Sequence, residues 1–160
     1  MKKLFCTLLS IVLLFLLTHQ LYAQNWTKEQ TEVWSLVVKN NELMYKGDFD
    51  GYFANVHEDY QGWNNQLPLP VNKNLFKQMM PSAEMMESWK IDYSMNNPAR
   101  IVVSGNVAVV HYVFAWSGTN TTDEGTFPST SRGTNTEFYV KEDGKWLLIG
   151  DMTVFVDDED

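Results

Sequence analysis

The chain is poor in the residues that carry covalent and metal chemistry. Cys6 is the one cysteine in 160 residues, and it precedes the apolar run Leu8 to Leu17. That position disfavours lipid attachment, which needs a cysteine after such a run. Removing the first segment leaves no cysteine, which excludes disulfides and thiolate chemistry even in an oxidising compartment. Three histidines, His19, His57 and His111, are too few and too scattered for a zinc site. Positive charge is also scarce, with 12 Lys and Arg against 20 Asp and Glu. A net charge of −8 repels phosphate backbones and excludes nucleic acid as the expected partner. The run Leu8 to Leu17 is too short to span a bilayer.

The N-terminus reads instead as a secretory signal peptide. Lys2 and Lys3 form its basic region, Leu8 to Leu17 its apolar core, and Ala23 the small residue before cleavage. The expectation is a secreted or periplasmic protein with no stable membrane insertion once residues 1–23 are gone. One domain then covers 24–156, and Asp157, Asp158, Glu159 and Asp160 form a solvated acidic tail at 157–160. The 137 remaining residues can bury about two thirds of their surface.

What is present is a change of period. Thr27 with Gln30 makes a capping box for a first helix, with Val33, Trp34, Val37, Val38, Asn41, Met44 and Tyr45 on its apolar stripe. Gly47 and Asp48 end that helix and cap a second holding Phe49, Tyr52, Phe53 and Val56. The segment 57–65 reads as a short strand or turn at a rim. Asn72 caps a third helix that Pro81 stops, and Ser82 begins one more turn.

From Trp89 the period is two. Short strands are expected around Ile91 to Met95 and from Arg100 to Ser104. A long one runs from Val107 to Ser117, with Ala108, Val110, Tyr112, Phe114 and Trp116 on one face. Both of its faces are apolar, so both are expected to be covered. Residues 118–131 read as a long loop. Two strands then flank Glu142-Asp143-Gly144, a strong hairpin signal. On the first, Arg132, Thr134, Thr136, Phe138 and Val140 share a face. On the second, Trp146, Leu148, Gly150 and Met152 do, and together these read as a pocket wall.

Helices followed by a meandering sheet predict an α+β domain: N-terminal helices packed in a strongly curved antiparallel sheet, a cone whose open end suits a small molecule. The residues that carry a family likeness are Gly47 to Tyr52, Glu58-Asp59-Tyr60 with Trp63, Gly105 to Val110, Arg132-Gly133-Thr134, and Glu142 to Trp146. In these the chain resembles the SnoaL-like, or nuclear-transport-factor-2-like, superfamily, which includes ketosteroid isomerases. The resemblance implies the cone fold and a cavity, with functions ranging over isomerases, cyclases, dehydratases and association modules. Aligned through Gly47-Asp48, the isomerase tyrosine and two acids fall at Asn40, Asn64 and Thr136 or next to them, and none matches in type. The resemblance therefore implies no ketosteroid-isomerase chemistry.

The expected ligand-binding residues are Tyr60, Trp63, Asn64, Tyr112, Phe114, Trp116, Arg132, Thr136, Phe138 and Met152. Arg132 either holds a ligand carboxylate or pairs with Asp123 or Glu124. The ligand is expected to be small and apolar or to bear a carboxylate, with no cofactor and no metal. An acid-base enzyme of isomerase, cyclase or dehydratase type using His57, Asp59 or Tyr60 is the alternative. A homodimer through the outer sheet face, where His111 is expected to lie, is the expected assembly, and a further alternative is a non-catalytic dimerisation or interaction module whose paired sheets are its function.

Overall fold

The computed structural model describes residues 25–156. The proposed signal peptide, its cleavage point and the acidic tail lie outside the described residues.

Helix α1 (Lys28–Tyr45) starts on the capping box foreseen, with Thr27 Oγ1 accepting from the Gln30 backbone and Gln30 Oε1 from that of Thr27. Val33, Val37 and Asn40 are its buried residues, at i, i+4 and i+7. The stripe is thus apolar for two turns and then becomes an amide. Gly47 adopts a left-handed φ of 71°, and Asp48 caps helix α2 (Phe49–Phe53) by accepting from the Gly51 N–H. Helices α3 (Lys73–Gln78) and α4 (Ala83–Glu87) are capped by Asn72 and Ser82.

The six strands are β1 (Val56–Asn64), β2 (Val71–Asn72), β3 (Trp89–Ser104), β4 (Val107–Thr122), β5 (Gly125–Glu142) and β6 (Lys145–Phe155), in sheet order β2-β1-β6-β5-β4-β3. The sheet is mixed rather than wholly antiparallel, because β1 runs parallel to β6. Of the short strand or turn expected at 57–65, the structure has the strand: these residues lie almost wholly in nine-residue β1, with Val56 and Tyr60 buried. The two short strands expected before Val107 are one 16-residue strand, bent at irregularities beside Tyr93 and Pro98. The expected loop at 118–131 is an extension of β4 and β5, closed by a two-residue turn at Asp123-Glu124. Pairing with a neighbouring strand satisfies the backbone of that turn-former-rich stretch, which composition alone does not reveal. The hairpin at Glu142-Asp143-Gly144 is as read, with Asp143 and Gly144 both at positive φ.

The core lies between α1, α2 and the concave face of the sheet. Val33, Val37, Val110, Tyr139 and Leu148 are at most 1% exposed. Each such aliphatic side chain contributes about 1.5–3 kcal/mol by leaving water. The described residues leave the outer face of β4 uncovered: Val107 and Val113 are 49% and 41% exposed.

Candidate functional site

The inner face of the sheet follows from β4, whose inward set is Ala108, Val110, Tyr112, Phe114 and Trp116 as expected. Residues paired across a ladder share a face. Tyr112 lies opposite Asn135, Val110 opposite Glu137 and Ala108 opposite Tyr139, so the inward set of β5 is Gly133, Asn135, Glu137 and Tyr139. That is the opposite parity from the pocket wall read in the sequence. On β6, Trp146 and Leu148 point inward as expected. A bulge between the Tyr139–Leu148 and Phe138–Gly150 pairs then shifts the phase, and Asp151, Thr153 and Phe155 line the cavity in place of Met152.

The result is an open cone with a polar base. One cavity of about 210 Å³ is lined by α1, α2, β4, β5 and β6, including Asn40, Asn41, Tyr52, Glu137 and Asp151. A second of about 250 Å³ shares Met44, Phe76, Asp151, Thr153 and Phe155 with it and adds Tyr60, Gly62, Trp63 and Asn64. A third of about 210 Å³, almost wholly apolar, shares Met44, Tyr45 and Trp116 with the first and is lined further by Met85, Met86 and Trp89.

Glu137 is buried at 6% exposure without an ion pair among the described residues. Hydrogen bonds compensate: Tyr112 OH donates to Oε1 at 2.8 Å, Asn135 Nδ2 to Oε1 at 3.2 Å, and Tyr139 OH to Oε2. Asn41 and Asn135 donate in turn to the Tyr112 hydroxyl at 3.3 and 3.0 Å. Asp151 stands directly opposite Glu137 across the ladder and accepts from Tyr60 OH at 2.7 Å. Gly62 makes that bond possible, since a Cβ there would sit 2.1 Å from the Tyr60 hydroxyl oxygen. Burial pushes the Glu137 carboxyl up to about 7; the tyrosine donors pull it back, and the neighbouring Asp151 adds to the rise. Burial raises Asp151 to about 6, with the Tyr60 bond acting against it. Burial also drives Tyr52, Tyr60, Tyr112 and Tyr139 upward, so all four stay neutral. Two carboxyls that take up and release protons near neutrality can move a proton or meet a charge.

Of the residues expected to bind ligand, Tyr60, Trp63, Asn64, Tyr112, Phe114 and Trp116 line the cone. Arg132, Thr136, Phe138 and Met152 lie on the outer face; Phe138 and Met152 are 39% and 44% exposed, and Thr136 Oγ1 is 2.8 Å from His111 Nδ1. The placement of His111 on the outer face is as read. His57 and Asp59 lie outside the cone: His57 Nδ1 accepts from the Asp59 backbone, and its Nε2 is 3.2 Å from Glu142. Of the three acid-base candidates, Tyr60 alone faces the cavity. With Arg132 outside, the expected grip on a ligand carboxylate is lost. Among the described residues, no cluster of three metal-ligating side chains occurs.

Glu137 and Asp151 are absent from the sequence-based set. The signal for Glu137 was the Asp123-Glu124 turn. Counting outward from it places Asn135 opposite Tyr112 and Glu137 opposite Val110. Asp151 had no such signal, because the bulge that turns it inward has no sequence mark.

Residues 29–151 match the family described as the calcium/calmodulin dependent protein kinase II association domain. No curated protein matches the chain. Solved structures that are similar include a protein from Planctomyces limnophilus, with a TM-score of 0.69, 16% identity, and coverage of 80% of this chain and 96% of that one. A ketosteroid isomerase-like protein from Erwinia carotovora atroseptica gives 0.66, 15% identity, and 83% and 100% coverage. The association domain of the C. elegans kinase gives 0.63, 12% identity, and 78% and 94% coverage. At these identities the likeness is one of fold, the nuclear-transport-factor-2-like cone.

Proposed function

Because the chain belongs to the calcium/calmodulin dependent protein kinase II association domain family, we propose that it is a cone domain that binds a small molecule within its curved sheet. One observation carries this reading: the cavity lining holds two carboxyls and no basic side chain, Asp151 with acceptor capacity left toward the space and Glu137 buried directly opposite it among Tyr112, Asn135 and Tyr139. A wall serving stability alone would be apolar, since burying a carboxyl without a counter-charge is unfavourable. Asn40, Asn41, Asn135 and Thr153 add polar points beside a mostly aromatic lining. Export is part of the proposal and is supported by Lys2, Lys3, the run to Leu17 and Ala23. N-terminal sequencing of protein recovered outside the cytoplasm should start at Gln24; a start at Met1 counts against export. For the pocket, a thermal-shift screen with neutral, cationic and anionic small molecules should find stabilising compounds. No shift from any of them, with the protein folded, ends this reading.

The outer sheet face favours a second role, association with another copy of this chain. Val102 lies beside Val109 and Phe138 across three strands, and Val113 lies beside Thr134 and Val154. Val102, Val113, Phe138, Met152 and Val154 are 38–44% exposed. This is the apolar patch that an isologous interface requires, on a chain whose family is named for association. Light scattering at micromolar concentration should give an oligomer, and Val113→Lys combined with Phe138→Lys should give a monomer. A monomeric wild type overturns this role.

A further inference from the structure

The pocket reading leaves open what the cone selects, and its charge pattern narrows the choice. The residues lining the three adjoining cavities include Glu137 and Asp151 but no lysine, arginine or histidine. Among the described residues, Asp151 receives one side-chain hydrogen bond, from Tyr60, and so keeps acceptor capacity toward the space it lines. The surrounding faces are aromatic: Tyr45, Tyr52, Phe76, Tyr112, Phe114 and Trp116. A second, independent feature is Asn40. It is 2% exposed and lines the same cavity, and its Oδ1 accepts from Asn55 Nδ2 at 2.9 Å. That bond sets the amide orientation and leaves Nδ2 as a buried donor with no partner among the described residues. A buried donor left unpaired calls for an acceptor from whatever fills the space.

We propose that the cone takes a small organic cation, a protonated amine with a hydrogen-bond acceptor on an aromatic or alkyl body. The inference rests on the pocket reading above. In it, the ammonium supplies the counter-charge that Asp151 and Glu137 lack, in charge-assisted hydrogen bonds shielded from water. The aromatic faces hold the same cation through their quadrupoles. Asn40 Nδ2 donates to the ligand oxygen, and the apolar space beside Met85, Met86 and Trp89 receives the body. A carboxylate ligand is disfavoured, because it would meet two acids and no cation.

Acidification should weaken the complex. The titratable groups facing the carboxyls are Tyr52 from α2, Tyr60 from β1, Tyr112 from β4 and Tyr139 from β5, with Tyr45 from α1 lining the same cavity. All five are raised above their ordinary values and stay neutral between pH 5 and 8, which leaves Glu137 and Asp151 as the groups that titrate there.

The test uses three probes with one ring and chain: tyramine, its neutral alcohol analogue tyrosol, and 4-hydroxyphenylacetate. Calorimetry and ligand-observed NMR on the folded chain should show tyramine binding at least about tenfold more tightly than either analogue. Tyramine affinity should fall from pH 8 to pH 5 while tyrosol affinity stays level. Asp151→Asn, which retains an acceptor for Tyr60, should remove the preference for tyramine and leave tyrosol binding in place, showing that the variant is folded. Binding of 4-hydroxyphenylacetate as tight as tyramine, or tyramine affinity independent of pH, overturns the cation proposal and leaves the pocket reading standing. Failure of all three probes overturns the proposal too, and the broader thermal-shift screen then decides whether the pocket reading falls with it.

Discussion

At the centre of strands β5 and β6 the two faces of the sheet exchange their usual polarity. Toward the helices stand Asn135, Glu137, Asp151 and Thr153; away from them stand Phe138, Met152 and Val154. A few residues along, the pattern is ordinary, with Tyr139, Trp146 and Leu148 buried inside. The closed end of the cone is thus a core, and its open half is a lined space. The difference separates two environments: acids are buried on the inner face, and apolar side chains are exposed on the outer one.

The sharpest break in this comparison comes from the closed end. Leu148→Ala should destabilise by about 2–5 kcal/mol, because its 1% exposed side chain leaves a cavity. Denaturant unfolding measures it; a loss under about 1 kcal/mol would contradict a packed closed end.

Next comes the pH dependence of the open half. The Glu137 carboxyl is raised from 4.5 to about 7 in the folded chain, so the native state binds the extra proton between those values. The stabilising contribution is therefore complete below pH 4.5 and is lost as pH rises through 7. The full loss is roughly 3 kcal/mol at most. Asp151, raised from 3.8 to about 6, acts in the same direction. Glu137→Gln should flatten the curve and gain on wild type between pH 5 and 8. Parallel stability curves for the two proteins would show that Glu137 is not held as the structure has it.

A smaller effect is expected from Tyr112→Phe. It removes a donor to Glu137 and the acceptor of Asn41 and Asn135, at about 1–2 kcal/mol. The loss should be larger at pH 8 than at pH 5, because the missing bond favoured the ionised carboxyl. The smallest effects belong to the outer face. Phe138→Ala and Thr136→Val should each change monomer stability by less than about 1 kcal/mol, since neither side chain is buried within the chain. A larger loss on dilution to the monomer would mean that the outer face is core.

Six of the ten expected ligand-binding residues line the cone, and the four that do not have two causes. Arg132, Thr136 and Phe138 were placed by the mixed polar and aromatic alternation on one face of β5, whose register turns the other face inward, and Met152 by an alternation on β6 that the bulge interrupts. On β5 the inward face is the more polar one, against the usual pattern for a buried face. The helices were legible because caps and period agree: Thr27 with Gln30, Gly47 with Asp48, Asn72 and Ser82 all act as read. The β4 face was legible because aromatic and β-branched residues alternate there with no competing assignment.

Local chemistry in the sequence therefore determined the helices, their corners, the Asp143-Gly144 hairpin and the inward face of β4. Each depends on contacts within a few residues or on one strand's own alternation. Tertiary structure decided which face of β5 looks inward, that Asp151 follows Glu137 into the cone, and that β1 joins the sheet parallel to β6. Side-chain direction has period two, so a single turn or bulge moves a whole strand to the other face. The register that settles it is made by partners far apart in the chain.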